Sequence, residues 1–201
     1  MVAGVKGVEF LGEGEVAVSS STLGELFVIS LKERRVLRTV KVSKKIESIS
    51  KIPHEHALLL AEGDGSISRI DLEAQPALLQ KVATLEDTRL TSVAAVSNSV
   101  ALISGAERGN KTNSTVWVLE GSKTREIYSC PMVRALFAEE SRCLFGAIDV
   151  ADEDAAEAHT KIIETRAPFN DTKELATIPE FVQVIVKKSK DLYVRKQSFS
   201  L

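Results

Sequence analysis

The sequence predicts an all-β protein built from repeated four-stranded units. Apolar and polar residues alternate with a period of two rather than 3.6, and Gly, Asp, Asn and Glu occupy the breaks between runs. A helical pattern is nearly absent, because the best candidate, residues 150–160, lacks an apolar stripe. The 201 residues are enough to bury a sizeable core in one or two domains.

One order of features recurs along the chain: an apolar run, a polar turn, a second apolar run, another turn and an alternating strand. VKGVEFLGEGEVAVSSSTLGELFVISL is the first unit and IESISKIPHEHALLLAEGDGSISRIDL is the second. Anchored on their second runs, at Val16, Leu58, Ala101, Leu144 and Leu192, the units are separated by 42, 43, 43 and 48 residues. Four antiparallel strands in about 40–45 residues is the period of a β-propeller blade. We therefore expect a single β-propeller domain of about four and a half blades, spanning residues 1–43, 44–86, 87–129, 130–179 and, in part, 180–201.

The character of each run predicts its place in a blade. The continuously apolar ALLLA (57–61) and VALIS (100–104) are interpreted as inner strands near a central channel, because strands covered on both faces can be apolar throughout. Small residues in these runs and in the fourth unit fit crowding there: Ala57, Ala61, Ala101, Gly105, Gly146 and Ala147. SISRID (66–71) alternates, as a half-exposed outer strand should. Fourth strands are expected at 36–42, 78–85, 125–128 and 175–178.

A half blade leaves open sheet edges, which propellers remove by closing the ring. We therefore expect this chain to form part of a larger propeller or to need another chain that completes it. The alternative is a compact ring in which residues 186–201 pair with residues 1–11.

The repeats resemble WD40-like propellers in spacing, although no Gly-His opens a unit and no Trp-Asp closes one; Ile70-Asp71-Leu72 is the nearest match. The stretch KKIESISKIPHEHALLLAEGDGSISRIDLEAQPALLQKVATLEDTRLTSVAAV, from Lys44, resembles citron-homology propellers. It shares their isoleucine-rich first strand, their LLL hairpin with a DG turn, and a strand that ends in DL. The resemblance covers roughly residues 1–130 and transfers no catalytic residue. It implies a setting in membrane traffic, with small GTPases or tethering subunits as partners.

Composition excludes several classes of partner. A net charge of −2, a pI near 6.0 and 5% aromatic residues give no reason to expect nucleic acid. The N-terminal stretch lacks the apolar core of a secretory signal, and no run reaches the ~18 residues of a membrane span. We expect a cytoplasmic protein without membrane insertion, in which Cys130 and Cys143 are reduced thiols.

Two groups of residues are candidates for chemical sites. His54 and His56 of PHEH lack a third ligand nearby, so they are interpreted as loop histidines rather than a zinc site. The acidic residues Asp149, Asp152, Glu153, Asp154 and Glu157 lack the glycine and the spacing of an EF-hand, and they are interpreted as a solvated loop able to dock a basic partner. Nucleophile-elbow and phosphate-loop motifs are missing from the sequence. The sequence therefore predicts no catalytic residue, metal site or cofactor.

The favoured function is a non-catalytic scaffold that binds other proteins, as peptides or domains, through the loops of the blades. The predicted interaction rim consists of Glu62, Asp64, Glu107, Arg108, Asp152, Glu153 and Asp154. The acidic turn at 62–65 is interpreted as a hairpin first, with positive φ at Gly63 or at Asp64-Gly65. One alternative is a ligand-binding or hydrolytic propeller with carboxylates along the channel, which the apolar inner runs disfavour. Another is a structural subunit of a coat, pore or cilium-like assembly.

Overall fold

The computed structural model describes residues 4–20, 24–42, 45–109, 113–139, 141–150, 158–178, 182–188 and 191–196. Eighteen β-strands, joined by turns, form the described part of the chain. These strands are grouped into four antiparallel sheets of four strands and one hairpin.

The four sheets, called blades 1 to 4 here, follow one another along the chain, and each pairs its strands in chain order. Blade 1 consists of β1 (Val5–Gly12), β2 (Glu15–Ser20), β3 (Glu25–Ser30) and β4 (Arg35–Lys41). Blade 2 consists of β5 (Ile46–Lys51), β6 (Ala57–Glu62), β7 (Ser66–Asp71) and β8 (Leu78–Thr84). Blade 3 consists of β9 (Thr88–Ala95), β10 (Val100–Glu107), β11 (Ser114–Glu120) and β12 (Lys123–Cys130). Blade 4 consists of β13 (Met132–Glu139), β14 (Arg142–Val150), β15 (Ala158–Arg166) and β16 (Thr172–Ile178), and the hairpin pairs β17 (Val182–Lys188) with β18 (Asp191–Lys196).

Apolar cores lie between neighbouring blades rather than within one sheet. Leu26 of blade 1 packs with Leu58 and Leu60 of blade 2, while Leu59 of blade 2 packs with Ile103 of blade 3. Consecutive residues of β6 thus point into two different cores, which explains why this strand is buried along its whole length. A third core joins blades 3 and 4.

The first strand of each blade lies nearest the centre of the array. β5 lies between β1 and β9, and β13 lies between β9 and β17. The Ser48 and Ser50 hydroxyls of β5 accept hydrogen bonds from the backbone of β9, from Val93 N at 3.2 Å and Ala95 N at 3.0 Å. Interpreting 57–61 and 100–104 as channel-side strands was therefore wrong. These second strands are apolar because two blades cover them, and the first strands approach the axis instead.

Each first strand carries a β-bulge at the same point in its pairing with the second strand. The extra residues are Lys6, Glu47, Thr91, Ala135 and Gln183. The fourth strands repeat a second bulge, whose extra residue is apolar in every blade: Leu37, Val82, Ile127 and Leu175. Bulges increase the local twist of a strand and disrupt its ladder, so all four blades share one pattern of bending.

We call the end of the sheets where the first strands begin the upper face, and the end where they finish the lower face. The turn between β6 and β7 and the turn between β10 and β11 lie on the upper face. The turns after β1, β5 and β9 lie on the lower face.

Blade 1 has one face without a neighbouring blade among the described residues. On β1 of this face, Val8 is 53% exposed and Phe10 is 71% exposed. In the described part of the chain β1 pairs only with β2, and β18 pairs only with β17, so the compact alternative with 186–201 paired to 1–11 is not seen there.

Candidate functional site

The acidic turn between β6 and β7 uses its carboxylates within blade 2. Glu62 is only 3% exposed and accepts a hydrogen bond from the Ser68 hydroxyl. Asp64 accepts a hydrogen bond from the backbone N–H of Ser66 at 3.0 Å, which closes the turn. Gly65 has the positive φ, 93°, that the turn needs. The turn is thus a hairpin turn held by its own side chains. Of its two acidic residues, only Asp64 is partly accessible to solvent.

The turn after β10 brings a second pair of predicted rim residues beside the first. Glu107 and Arg108 are exposed. The Arg108 guanidinium donates to the carbonyl of Gly63 at 3.2 Å, across the boundary between blades 2 and 3. Its backbone N–H donates to the Asp87 carbonyl at 2.6 Å. The structure therefore brings the rim residues of blades 2 and 3 together, whereas Asp152, Glu153 and Asp154 lie outside the described residues.

A cluster that the sequence reasoning missed lies beside these turns, and we call it the upper-face cluster: Lys6, Lys45, Glu47 and Arg89. The Glu47 side chain is 5% exposed, and its carboxylate lies 3.2 Å from Lys6 Nζ, 2.8 Å from Lys45 Nζ and 3.5 Å from Arg89 Nη2. The three cations belong to β1, to the residue before β5, and to β9. One buried carboxylate thus joins three consecutive first strands, and three partly exposed cations surround it.

The charges of the upper-face cluster decide the ionisation of Glu47. Burial by itself raises the pKa of this carboxyl, but hydrogen bonds and charge attraction from Lys45 and Lys6 outweigh burial and hold the pKa below its ordinary value. Glu47 is therefore ionised at neutral pH. The only hint in the sequence was the charged KKIES at the start of blade 2, because Lys6 and Arg89 meet Glu47 only after folding.

The first strands carry a second ionisable pair, Glu9 on β1 and Lys51 on β5. Burial raises the pKa of Glu9, and the backbone N–H and the charge of Lys51 oppose this effect only in part. Lys51 Nζ also donates to the Leu11 carbonyl at 2.7 Å. The apolar runs that disfavour an enzyme therefore do not line the centre, since the strands nearest the axis contain charged residues.

The two histidines of PHEH lie on the lower face. His54 has a φ of 63°, typical of a tight turn, and the His56 imidazole lies 3.7 Å from the Glu15 carboxylate. The residues that the structure describes contain no group of three His, Cys, Asp or Glu side chains placed to hold a metal. The described chain also contains no helix that is both long enough and apolar enough to span a membrane.

Comparison by sequence gives no relative: no protein-family model and no curated protein matches this chain. Comparison by structure gives likeness to solved β-rich proteins at low identity. Hydrazine synthase of Kuenenia stuttgartiensis matches with a TM-score of 0.66 and 14% identity, over 92% of this chain and 52% of that one. The calcium-binding protein regucalcin of Agrobacterium tumefaciens matches with a TM-score of 0.69 and 12% identity, over 98% of this chain and 68% of that one.

The Cps50 (Swd1) β-propeller domain of Myceliophteria thermophila matches with a TM-score of 0.65 and 14% identity, over 98% of this chain and 63% of that one. This chain thus spans about half to two thirds of the length of the three proteins. The three proteins are an enzyme, a calcium-binding protein and a propeller domain, so the likeness establishes fold and not activity. The prediction of a β-propeller is confirmed: the described residues form a propeller segment of four four-stranded blades and a further hairpin.

Proposed function

We propose that this propeller segment is a non-catalytic scaffold that binds other proteins through its upper face. The observation that carries the proposal is the meeting of charged groups from three blades at one place. Lys6, Lys45 and Arg89 converge on Glu47, and Arg108 reaches the adjacent turn of blade 2.

Rigid sheets hold these side chains in fixed positions, which lowers the entropy lost when a partner binds. The surface is of mixed sign, because Asp64 and Glu107 lie beside the cations. Mixed charges of this kind favour specificity and the rate of association with a partner of complementary pattern. The resemblance to citron-homology propellers suggests tethering subunits or small GTPases as partners, in the cytoplasm and in membrane traffic.

The experiment is affinity capture from cell extract followed by quantitative mass spectrometry. The double variant Arg89→Glu, Arg108→Glu reverses two exposed charges of the upper face, and Lys32→Glu reverses an exposed charge in the lower-face turn between β3 and β4 as the control. We expect proteins captured by the wild type and by Lys32→Glu to be lost from the double variant. Equal capture by all three proteins would exclude the upper face as the binding surface.

A ligand-binding or hydrolytic propeller is the second candidate, favoured by Glu9. A half-buried carboxyl with a raised pKa beside a lysine is suited to proton transfer. Turnover of ester, lactone or phosphoester substrates that is abolished by Glu9→Gln would support this candidate. Such turnover without any captured protein would refute the scaffold.

A further inference from the structure

The boundaries between the described blades join two different faces of a blade. We call the face that packs on the preceding blade the N-side face, and the face that packs on the following blade the C-side face. Leu26 on the C-side face of blade 1 packs with Leu60 on the N-side face of blade 2. Leu59 on the C-side face of blade 2 packs with Ile103 on the N-side face of blade 3. A C-side face is therefore the natural cover of an N-side face.

The N-side face of blade 1 is apolar, and no described blade covers it. Seven apolar residues in two neighbouring rows of paired positions form this face: Val8, Val18 and Phe27 in one row, and Phe10, Val16, Ile29 and Val36 in the other. Within this set exposure is greatest on β1, at Val8 and Phe10. An apolar surface of this kind marks a site of protein–protein contact.

The positions of these β1 residues are covered in the other blades. Val8 is the second residue after the bulge residue of β1, as Ile49 is in β5 and Val93 is in β9. Ile49 and Val93 are each only 4% exposed, because a preceding blade packs on them. Blade 1 thus presents to solvent a position that is buried between blades at the two following boundaries.

The contact between β5 and β9 shows how the first strands of two consecutive blades meet. The backbone N–H groups of Val93 and Ala95 donate to the hydroxyls of Ser48 and Ser50. The serines are the first and third residues after the bulge of β5, whereas Val93 and Ala95 are the second and fourth residues after the bulge of β9. Odd positions of the preceding blade therefore meet even positions of the following one.

The hairpin of β17 and β18 has a C-side face that no blade follows in the described part of the chain. β17 lies against β13 and β14 of blade 4, so the N-side face of the hairpin is the covered one. Val184 and Val186 are the first and third residues after the bulge of β17, the register positions of Ser48 and Ser50 in β5. The even positions that would match them on β1 are Val8 and Phe10.

Charge favours contact between this hairpin and the first two strands of blade 1. Residues 182–196 contain five lysines and arginines and one aspartate, a net charge of +4. Residues 5–20 contain three glutamates and one lysine, a net charge of −2. Opposite charges steer two surfaces together, whereas like charges disfavour contact. The hairpin is therefore a better cover for blade 1 than a second blade 1 packed face to face.

We propose that the N-side face of blade 1 binds the β17–β18 hairpin of a second copy of this chain. β17 of one copy lies against β1 of the other, with Val184 and Val186 at the register positions that meet Val8 and Phe10. The two-stranded hairpin covers β1 and β2, and β1 carries the two most exposed residues of the face. The contact is head-to-tail, so association either closes into a ring or continues. This self-association is separate from the scaffold function of the upper face.

Sedimentation velocity of the full chain at rising concentration tests the proposal. Phe10→Lys blocks the face of blade 1, and Val186→Lys blocks the hairpin. Val36→Lys is the matched control, because Val36 is exposed on the same face but on β4, outside the two covered strands. Exposed positions such as Phe10 and Val36 tolerate substitution. The double variant Lys187→Glu, Lys188→Glu replaces Val186→Lys if thermal unfolding shows that Val186→Lys does not fold.

We expect the mean mass of the wild type to rise with concentration. Phe10→Lys and the hairpin variant should each raise the Kd of association at least about tenfold, while Val36→Lys should leave it unchanged. An equimolar mixture of Phe10→Lys and the hairpin variant should form a dimer and no larger species, because each copy retains the surface that the other lacks. High salt should weaken the association, because it screens the opposite charges.

Three results would overturn the proposal. The first is a wild type that remains monomeric at about 1 mM. The second is a mixture of the two blocked variants that stays monomeric while the wild type associates. The third is association that Val36→Lys weakens and the hairpin variant leaves intact, because this result assigns the contact to two blade 1 faces packed on each other.

Discussion

Replacement of Gly65 by alanine tests how the turn of blade 2 is locked against blade 3. Gly65 has a φ of 93°, and a Cβ atom there would lie 2.1 Å from the Leu85 carbonyl oxygen and 2.9 Å from the Thr88 carbonyl oxygen. Its carbonyl also accepts a hydrogen bond from Leu85 N at 3.0 Å. Both obstructing atoms belong to the backbone of the connection between blades 2 and 3, so the methyl group fits only if that connection moves.

Gly109 separates the two costs of this substitution. Its φ is also 93°, but a Cβ atom there would meet nothing within 4 Å. Gly109→Ala should therefore cost only the strain of the left-handed backbone, about 1–2 kcal/mol, reduced by the lower entropy of the unfolded alanine chain. Gly65→Ala adds a steric cost, and overpacking against backbone costs about 1–3 kcal/mol. The difference between the two variants should therefore be about 1–3 kcal/mol.

Thermal unfolding followed by circular dichroism measures this difference. For a chain of this size, 1 kcal/mol lowers Tm by about 2–4 °C, so Gly65→Ala should unfold about 2–12 °C below Gly109→Ala. Equal Tm values for the two variants would refute the steric reasoning, because backbone conformation would then explain the whole effect.

Three further outcomes follow from the described contacts. The pKa values of Glu47 and Glu164 are lowered in the folded state, because hydrogen bonds and charges of neighbouring lysines or arginines outweigh burial. The stability that these carboxylates contribute is therefore complete above the unfolded pKa of about 4.3 and is lost as the pH falls through the folded pKa. Urea unfolding between pH 7 and 3 should show this loss of stability, and Glu47→Gln should make the loss smaller. Burial raises the pKa of Cys143 to about 12. Iodoacetamide at pH 8 should therefore label the half-buried Cys130 first. Rapid alkylation of both thiols in the folded protein would contradict this expectation. Phe10→Lys on the exposed face of blade 1 should weaken any self-association in sedimentation velocity, while it changes the free energy of unfolding by less than about 0.5 kcal/mol. A wild type that stays monomeric at all concentrations would count against the expectation that another chain covers this face.

The repeat could be predicted from the sequence because each blade must bury both faces of a short antiparallel sheet. This burial determines the order of the continuously apolar and the alternating strands. The position of the axis was not readable. β6 is apolar because Leu58 and Leu59 enter two different cores, and nothing in ALLLA distinguishes burial between blades from burial beside a channel. The first strands contain serines and charges, which look like surface residues until their partners on the next blade are known.

The upper-face cluster could not be predicted from the sequence for a similar reason. Lys6, Glu47 and Arg89 are separated by about forty residues each, and only the packing of blades brings them into contact.

The bulge that repeats in the first strands provides equivalent positions at which new side chains could be introduced into this propeller segment. At that point each first strand has one residue without an opposite residue in the ladder, and the described bulge residues range from Lys6 to Glu47 and Thr91. The backbone has therefore accepted a cation, an anion and a hydroxyl at one equivalent position without a change in sheet pairing. A protein engineer could vary these positions together, as a row of side chains around one axis, and leave the cores between the blades intact.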